Sequence, residues 1–373
     1  MAAEGAATAR PRARSAPALG TVHRRLGLVV ALVVLATAVS GIVLAYRETV
    51  WRLQHGELAG EPEPRSAAAL AAAASRAAAH FGPGEATLLD APRAGRNGWL
   101  VYLTGDGRAL VSASGERLLA RWDERGSPFG VLFDLHVHLL AGETGRTVAG
   151  AFAIVTLLAV ALGRILFARG VPRVRLRELF PQRMTRGRWM LAHRQWGALA
   201  TAPIAVVVTC GLLLAWHWAW RPGLPAPETL AAPTTTAPAT ADAATLGAVL
   251  EAAARAWPDA AVRFLDLRGL PEGRVTLRLR RDGEAHPNGR SSLVVDASGR
   301  LLSRYDATDG GFLAFLDDWA YPLHAGKLDV PGVHTLVVLT GLVLATVAAS
   351  GVGTWARRRS SGARKPARSR SLA

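Results

Sequence analysis

Four histidines in this 373-residue chain have the spacing best suited to chemistry. His23 and His193 open two apolar runs built to one plan, VHRRLGLVVALVVLATAVSGIVLAY and AHRQWGALATAPIAVVVTCGLLLAW. In both, glycines follow the histidine by four residues (Gly27, Gly197) and by eighteen (Gly41, Gly211), and an aromatic closes the copy at plus twenty-three (Tyr46, Trp216). His136 and His324 share a second spacing, each preceding a glycine by twenty-seven positions (Gly163, Gly351). Imidazole is the commonest protein metal ligand. A six-coordinate haem iron needs one imidazole on each side of a flat macrocycle, and two repeat-related pairs could supply that twice. Zinc would want three or four ligands converging within ~2 Å of one point, which two separated pairs do not offer. One histidine at a helix end is explained by interfacial anchoring, but four placed symmetrically are not.

The glycines fit the same reading. Eighteen residues make five helical turns and roughly 27 Å of rise. Gly41 therefore shares a helix face with His23 but lies near the opposite surface, and Gly211 relates to His193 likewise. A position without a side chain leaves room there for a porphyrin held by His136 and His324. Gly163 and Gly351 could do the same at the other end. The alternative use of these glycines is close helix packing, as small residues allow in membranes.

The elements that must position these residues are membrane spans. Half the residues are hydrophobic, and four stretches approach the ~20 apolar residues needed to cross a bilayer. The formal charge of +16 is not spread evenly. The segments before the first run, between the second and third, and after the fourth hold 21 of the 44 basic residues and only two acids, Glu4 and Glu178. That is a positive-inside pattern, with both termini and the central loop cytoplasmic. A nucleic-acid partner would instead need a basic face on a folded domain, so none is expected. The first run is too long for a signal-peptide apolar region of ~7–15 residues. Cys210, the single cysteine, excludes an intramolecular disulfide framework, and no CxxCH offers covalent haem attachment.

The expected order is a disordered cytoplasmic tail (1–21), a span (22–46), an outer α+β segment (52–130) and a second span (146–168). A basic cytoplasmic loop (169–188) and a third span (192–216) follow. A Pro/Thr/Ala linker (221–245) then leads to a second outer α+β segment (246–320), a fourth span (333–356) and a basic tail (357–373). LVSASGERLLARWD at Leu110 to Asp123 returns as LVVDASGRLLSRYD at Leu293 to Asp306, so the whole chain reads as a duplicated unit. Its two copies enter the membrane in the same direction, a parallel repeat about an axis along the membrane normal.

The other histidines rank lower as ligands. His138 is two residues from His136 and faces another way on a helix. His334 takes the place of Arg146 in the first copy; as an ionisable group at the membrane edge it is a lesser candidate for ligation or for contact to a haem propionate. His217 sits among Trp216, Trp218 and Trp220 as part of an aromatic belt. His55, His80 and His286 read as surface residues of polar segments.

These motifs resemble the PepSY-associated transmembrane family of bacterial inner-membrane proteins. The resemblance runs from about Val22 to Arg359. HRRLG, HRQWG, LHVHLLAGETGR, PLHAGKLDVPG and the GVGTW exit carry it. It implies PepSY modules outside, a link to siderophore uptake, and in some members di-haem reduction of ferric siderophores. Matched residue by residue, the family's histidines fall on His23, His136, His193 and His324. Cys210 departs from a more usual Thr.

The expected fold is thus an all-α four-helix membrane bundle with two extracytoplasmic PepSY-like α+β domains. The expected cofactors are two b-type haems, one held by His23 and His193 and the other by His136 and His324. The expected partners are membrane lipid, a ferric chelate or siderophore as acceptor, and a separate cytoplasmic reductase or quinol as donor, since the chain has no GxGxxG or flavin motif. The competing readings are a non-enzymatic membrane-anchored PepSY binding or regulatory protein and, less favoured, a small-solute or metal permease. No carboxylate or Lys lies near the middle of a span to serve coupled transport.

Overall fold

The computed structural model describes residues 16–56, 63–64, 66–93, 96–170, 173–180, 185–232 and 237–362. The expected tails before residue 16 and beyond 362, and parts of the central loop and linker, lie outside the described residues. In chain order the first repeat comprises α1 (Ala16–Ala45), α2 (Arg47–Gln54) and α3 (Ala67–Ala79). Then come β1 (Ala86–Asp90), β2 (Gly98–Leu103), β3 (Gly107–Ser112), β4 (Leu118–Asp123), α4 (Pro128–His138) and α5 (Gly142–Gly170). The second repeat runs α6 (Arg186–Leu199), α7 (Thr201–Ala215), α8 (His217–Trp220), β5 (Glu228–Thr229) and α9 (Ala243–Ala256). It continues with β6 (Ala261–Asp266), β7 (Arg274–Arg280), β8 (Ser291–Asp296), β9 (Leu301–Tyr305), α10 (Gly311–Ala325) and α11 (Val333–Gly362).

The expected four-helix bundle with two separate outer domains is not what forms. Three unbroken helical stretches are long and apolar enough to span: Ala18–Gln54, Gly142–Gly170 and Val333–Ala356. The third apolar run is instead two helices, α6 and α7, bent by 68° at a break between Leu199 and Thr201. Pro203 explains the break. It has no N–H to give the carbonyl of Leu199 and its ring crowds that turn. The first repeat has Val33 at the corresponding position and runs straight. Thr201 Oγ1 turns back to donate to the Gly197 carbonyl at 2.7 Å. The helices surround one another in a ring, α1 against α5 and α11, and the α6–α7 pair against the same two. Their outward residues are apolar, Val29, Leu32, Leu158 and Leu339 among them, which suits a lipid solvent.

Beyond the ends of the apolar helices, the two α+β segments merge into one nine-stranded antiparallel sheet, ordered β4-β3-β2-β1-β6-β7-β8-β9-β5. The seam is the pairing of β1 with β6, in which Leu88 faces Asp266, Leu89 faces Leu265 and Asp90 faces Phe264. Thr87-Leu88-Leu89-Asp90 corresponds to Arg263-Phe264-Leu265-Asp266 in the repeat, so Leu89 pairs with its own counterpart and the pseudo-twofold axis passes between them. Period-two alternation places Val275, Leu277 and Leu279 inward and Arg274 and Arg278 outward. The Ala-rich α3 and the amphipathic α9 pack on each other across one face of the sheet. Leu89, Trp99, Leu246, Leu250, Leu265 and Leu277 are fully buried there in a single core shared by both repeats. Even the linker contributes a strand, since β5 pairs with β9.

Candidate functional site

His136 and His324 lie on short helices that precede the spanning ones, not at the mouths of the spans. Ser127 caps α4, its hydroxyl accepting from Gly130 N at 2.9 Å, and Pro128 fills the first turn. The helix ends at Leu139 in the left-handed region, φ 49°. The second short helix, α10, ends on Gly326, φ 68°. Each therefore stops two or three residues after its histidine. The two imidazoles meet, with Nε2 of one 3.4 Å from Nε2 of the other and ring planes inclined by 50°.

The second pair forms at the other end of the spans. His23 on α1 and His193 on α6 have ring centroids 6.2 Å apart and planes inclined by 66°. The four sequence-selected histidines thus come together as two pairs, each member from a different repeat.

One rule of contact positions all four. Each ring lies over one of the glycines. A Cβ on Gly41 would stand 2.8 Å from His136 Cε1, and one on Gly211 2.9 Å from His324 Cε1. Gly163 faces His23 at 3.1 Å and Gly351 faces His193 at 3.6 Å. The face that the sequence left open for a porphyrin is taken by the imidazole itself. In every case the ring Nδ1 reaches the carbonyl four residues before that glycine. His136 bonds Thr37 O at 2.8 Å, His324 Val207 O at 2.9 Å, His23 Ala159 O at 3.0 Å and His193 Val347 O at 3.0 Å. The glycine's missing side chain opens the way to this carbonyl, whose second lone pair the helix leaves free.

A carbonyl only accepts, so Nδ1 must carry the proton and Nε2 keeps its lone pair. All four rings therefore hold the ligating tautomer, oriented by the second nitrogen as metal-binding histidines are. Two metal–imidazole bonds of ~2.0 Å each span ~4 Å, close to the separation of the outer Nε2 atoms. Among the described residues no group of three or more His, Cys, Asp or Glu converges to hold a metal ion. A pair of imidazoles would suit a centre that brings its other ligands with it, such as haem.

Ser40 and Ser350 were missed by the sequence reading. Ser40 Oγ lies 3.3 Å from His136 Nδ1, and Ser350 Oγ 3.0 Å from His193 Nδ1. The available signal was position, since each immediately precedes the glycine on which its histidine packs. Cys210 and Leu162 stand at the equivalent places in the other copies, so one histidine of each pair has a second partner.

The lesser candidates lie elsewhere. His138 Nδ1 is held by Asp134 Oδ1 at 2.9 Å. His334 sits edge-on to Tyr46, centroids 5.3 Å apart. His217 bonds Leu214 O. The ring of His286, expected at the surface, is buried and stacks on Tyr321 at 4.9 Å. Burial, then the charges of Arg290 and Arg278, pushes its pKa down to about 2, so it is neutral at physiological pH.

A family model described as the PepSY-associated TM region matches residues 21–358. The chain belongs to that family. No curated protein matches it. All four paired histidines fall inside the PepSY-associated TM region, as do both bent and straight apolar helices, and the chain is a membrane protein of this family.

Proposed function

We propose that the protein is a di-haem b-type electron-transfer protein that reduces ferric iron or a ferric siderophore outside the bacterial inner membrane. One haem would be held by His23 and His193 and the other by His136 and His324. The observation that carries this reading is the shared posture of the four rings, each donating Nδ1–H to a helix carbonyl and directing Nε2 away from it. A haem held by either pair would supply one-electron chemistry.

The chain's own residues supply placement. Gly41, Gly211, Gly163 and Gly351 let the rings approach the helix backbone, and Ser40 and Ser350 add a second acceptor for one ring of each pair. The basic segments orient the chain with its termini and central loop in the cytoplasm. The His23–His193 pair then serves a cytoplasmic reductase or quinol, and the His136–His324 pair serves the outside. Reduction of chelated Fe(III) to Fe(II) loosens hard oxygen donors, which fits iron release.

The test is the visible spectrum of the purified full-length protein, followed by mixing its reduced form with ferric citrate. A reduced b-type spectrum that reoxidises on mixing is expected. A protein that takes up no haem would be the non-enzymatic PepSY module instead.

A further inference from the structure

His136 and His324 occupy equivalent places in the two repeats, yet the hairpins of their sheets differ. Residues 104–106 join β2 to β3, whereas residues 281–290 join β7 to β8. The longer loop is built around the buried Glu284, whose carboxylate accepts from Arg290 N at 3.1 Å and from Ser291 N at 2.9 Å. It also carries the buried His286, whose Nδ1 accepts from Asn288 N at 3.1 Å.

Two neighbouring carboxylates fasten this loop to α10. Asp318, 6 % exposed, accepts from Ala285 N at 2.7 Å and from His286 N at 2.9 Å, one on each oxygen. Asp317, 8 % exposed, pairs with Arg290 of the loop at 3.0 Å. It also pairs with Arg221, just beyond α8, at 2.7 Å. Tyr321 adds its stack on His286. Asp317, Tyr321 and His324 follow at intervals of four and three residues, so they share one face of α10. Asp317 lies two turns before the histidine. In α4 the places of Asp317 and Asp318 are taken by Phe129 and Gly130, which have no carboxylate to offer.

Hydrogen bonds to an ionised group are among the strong ones. A buried charge that loses one partner is left uncompensated, so these contacts resist any turn of the helix. A turn of α10 would carry the His324 ring off Gly211 and its Nδ1 away from the Val207 carbonyl, now 2.9 Å distant.

We propose that Asp317 and Asp318 are positioning residues of the outer histidine pair, holding the His324 ring on Gly211 through α10. The hold on His324 stands on contacts within the chain; its bearing on a haem rests on the reductase reading.

The experiment compares Asp318→Ala, Asp318→Asn and Asp317→Asn with wild type, as full-length protein in nanodiscs, haem-free and with reduced haem. Asparagine at 318 keeps one acceptor for the two amides, so it carries the test if the alanine variant does not fold. Hydrogen exchange in α10 should quicken roughly tenfold in Asp318→Ala, the loss of a hydrogen bond to a charged group. The side-chain nitrogen-15 resonances of His324 should shift in all three variants, and those of His23 should not. In haem-loaded protein the midpoint potential of the haem that His324→Ala removes should move, while the other haem keeps its value. Unchanged His324 resonances would make both aspartates merely stabilising and overturn the proposal, however fast the exchange. Equal shifts at His23 and His324, or a bound outer haem whose potential never moves, would overturn it as well. Shifted His324 resonances in a protein that takes up no haem would refute the reductase reading and leave the positioning role standing.

Discussion

Nε2 of His136 and Nε2 of His324 lie 3.4 Å apart, although 188 residues separate them in the chain. Both rings give their Nδ1 proton to a carbonyl, so two lone pairs point toward one another. Such a contact between neutral rings is unfavourable unless something electron-poor lies between them. Nitrogen-15 spectra of the reduced, haem-loaded, histidine-labelled protein should therefore show Nδ1-protonated rings for both residues. An Nε2-protonated tautomer at either would contradict the hydrogen-bond assignment.

The glycines give a graded prediction. Gly41→Ala and Gly211→Ala place a Cβ under 3.0 Å from an imidazole, Gly163→Ala at 3.1 Å, and Gly351→Ala at an ordinary 3.6 Å. Overpacking of this kind costs about 1–3 kcal/mol. Thermal unfolding in detergent should rank the variants in that order, with Gly351→Ala near wild type. A large loss at Gly351 alone would break the ranking.

The shared sheet makes a different prediction. Leu265 is fully buried opposite its repeat counterpart Leu89. Leu265→Ala should cost about 2–5 kcal/mol. Because one core serves both repeats, hydrogen exchange should rise in α3 as well as α9. Protection lost only in the second repeat would mean that the halves are independent.

Asp242 caps α9, accepting from Thr245 N at 2.8 Å. Hydrogen bonds from Thr240 and then Thr245 hold its carboxyl below the ordinary 3.8. A depressed folded pKa means that the stabilisation is present above the unfolded value and disappears as pH falls through the folded one. Asp242→Ala should cost about 1 kcal/mol at pH 6. The gap to wild type should narrow as pH falls below the ordinary 3.8 and through the carboxyl's folded value. A gap that widens in acid would rule out the carboxylate as the source.

The histidine pairing was legible because two signals coincided, the repeated His-to-Gly spacing and the charge pattern that sets each end of each run. The carbonyls that orient the rings were not, since every residue has one and only the glycine reveals which is reachable. The bend at Ala200 had its cause written in Pro203, but the close match of the two apolar runs argued for a straight copy. The single sheet was the harder case. The alternation that marks β1 and β6 is local, whereas their pairing joins residues as far apart in the chain as Leu89 and Leu265, and nothing in either strand names its neighbour.

The most direct test of the central claim is the haem content of four single variants of the full-length protein, read from reduced-minus-oxidised spectra. His23→Ala and His193→Ala should each lose the same one of two b-type haems, and His136→Ala and His324→Ala should each lose the other. Retention of both haems by any one of the four, or loss of different haems within a pair, would contradict the account.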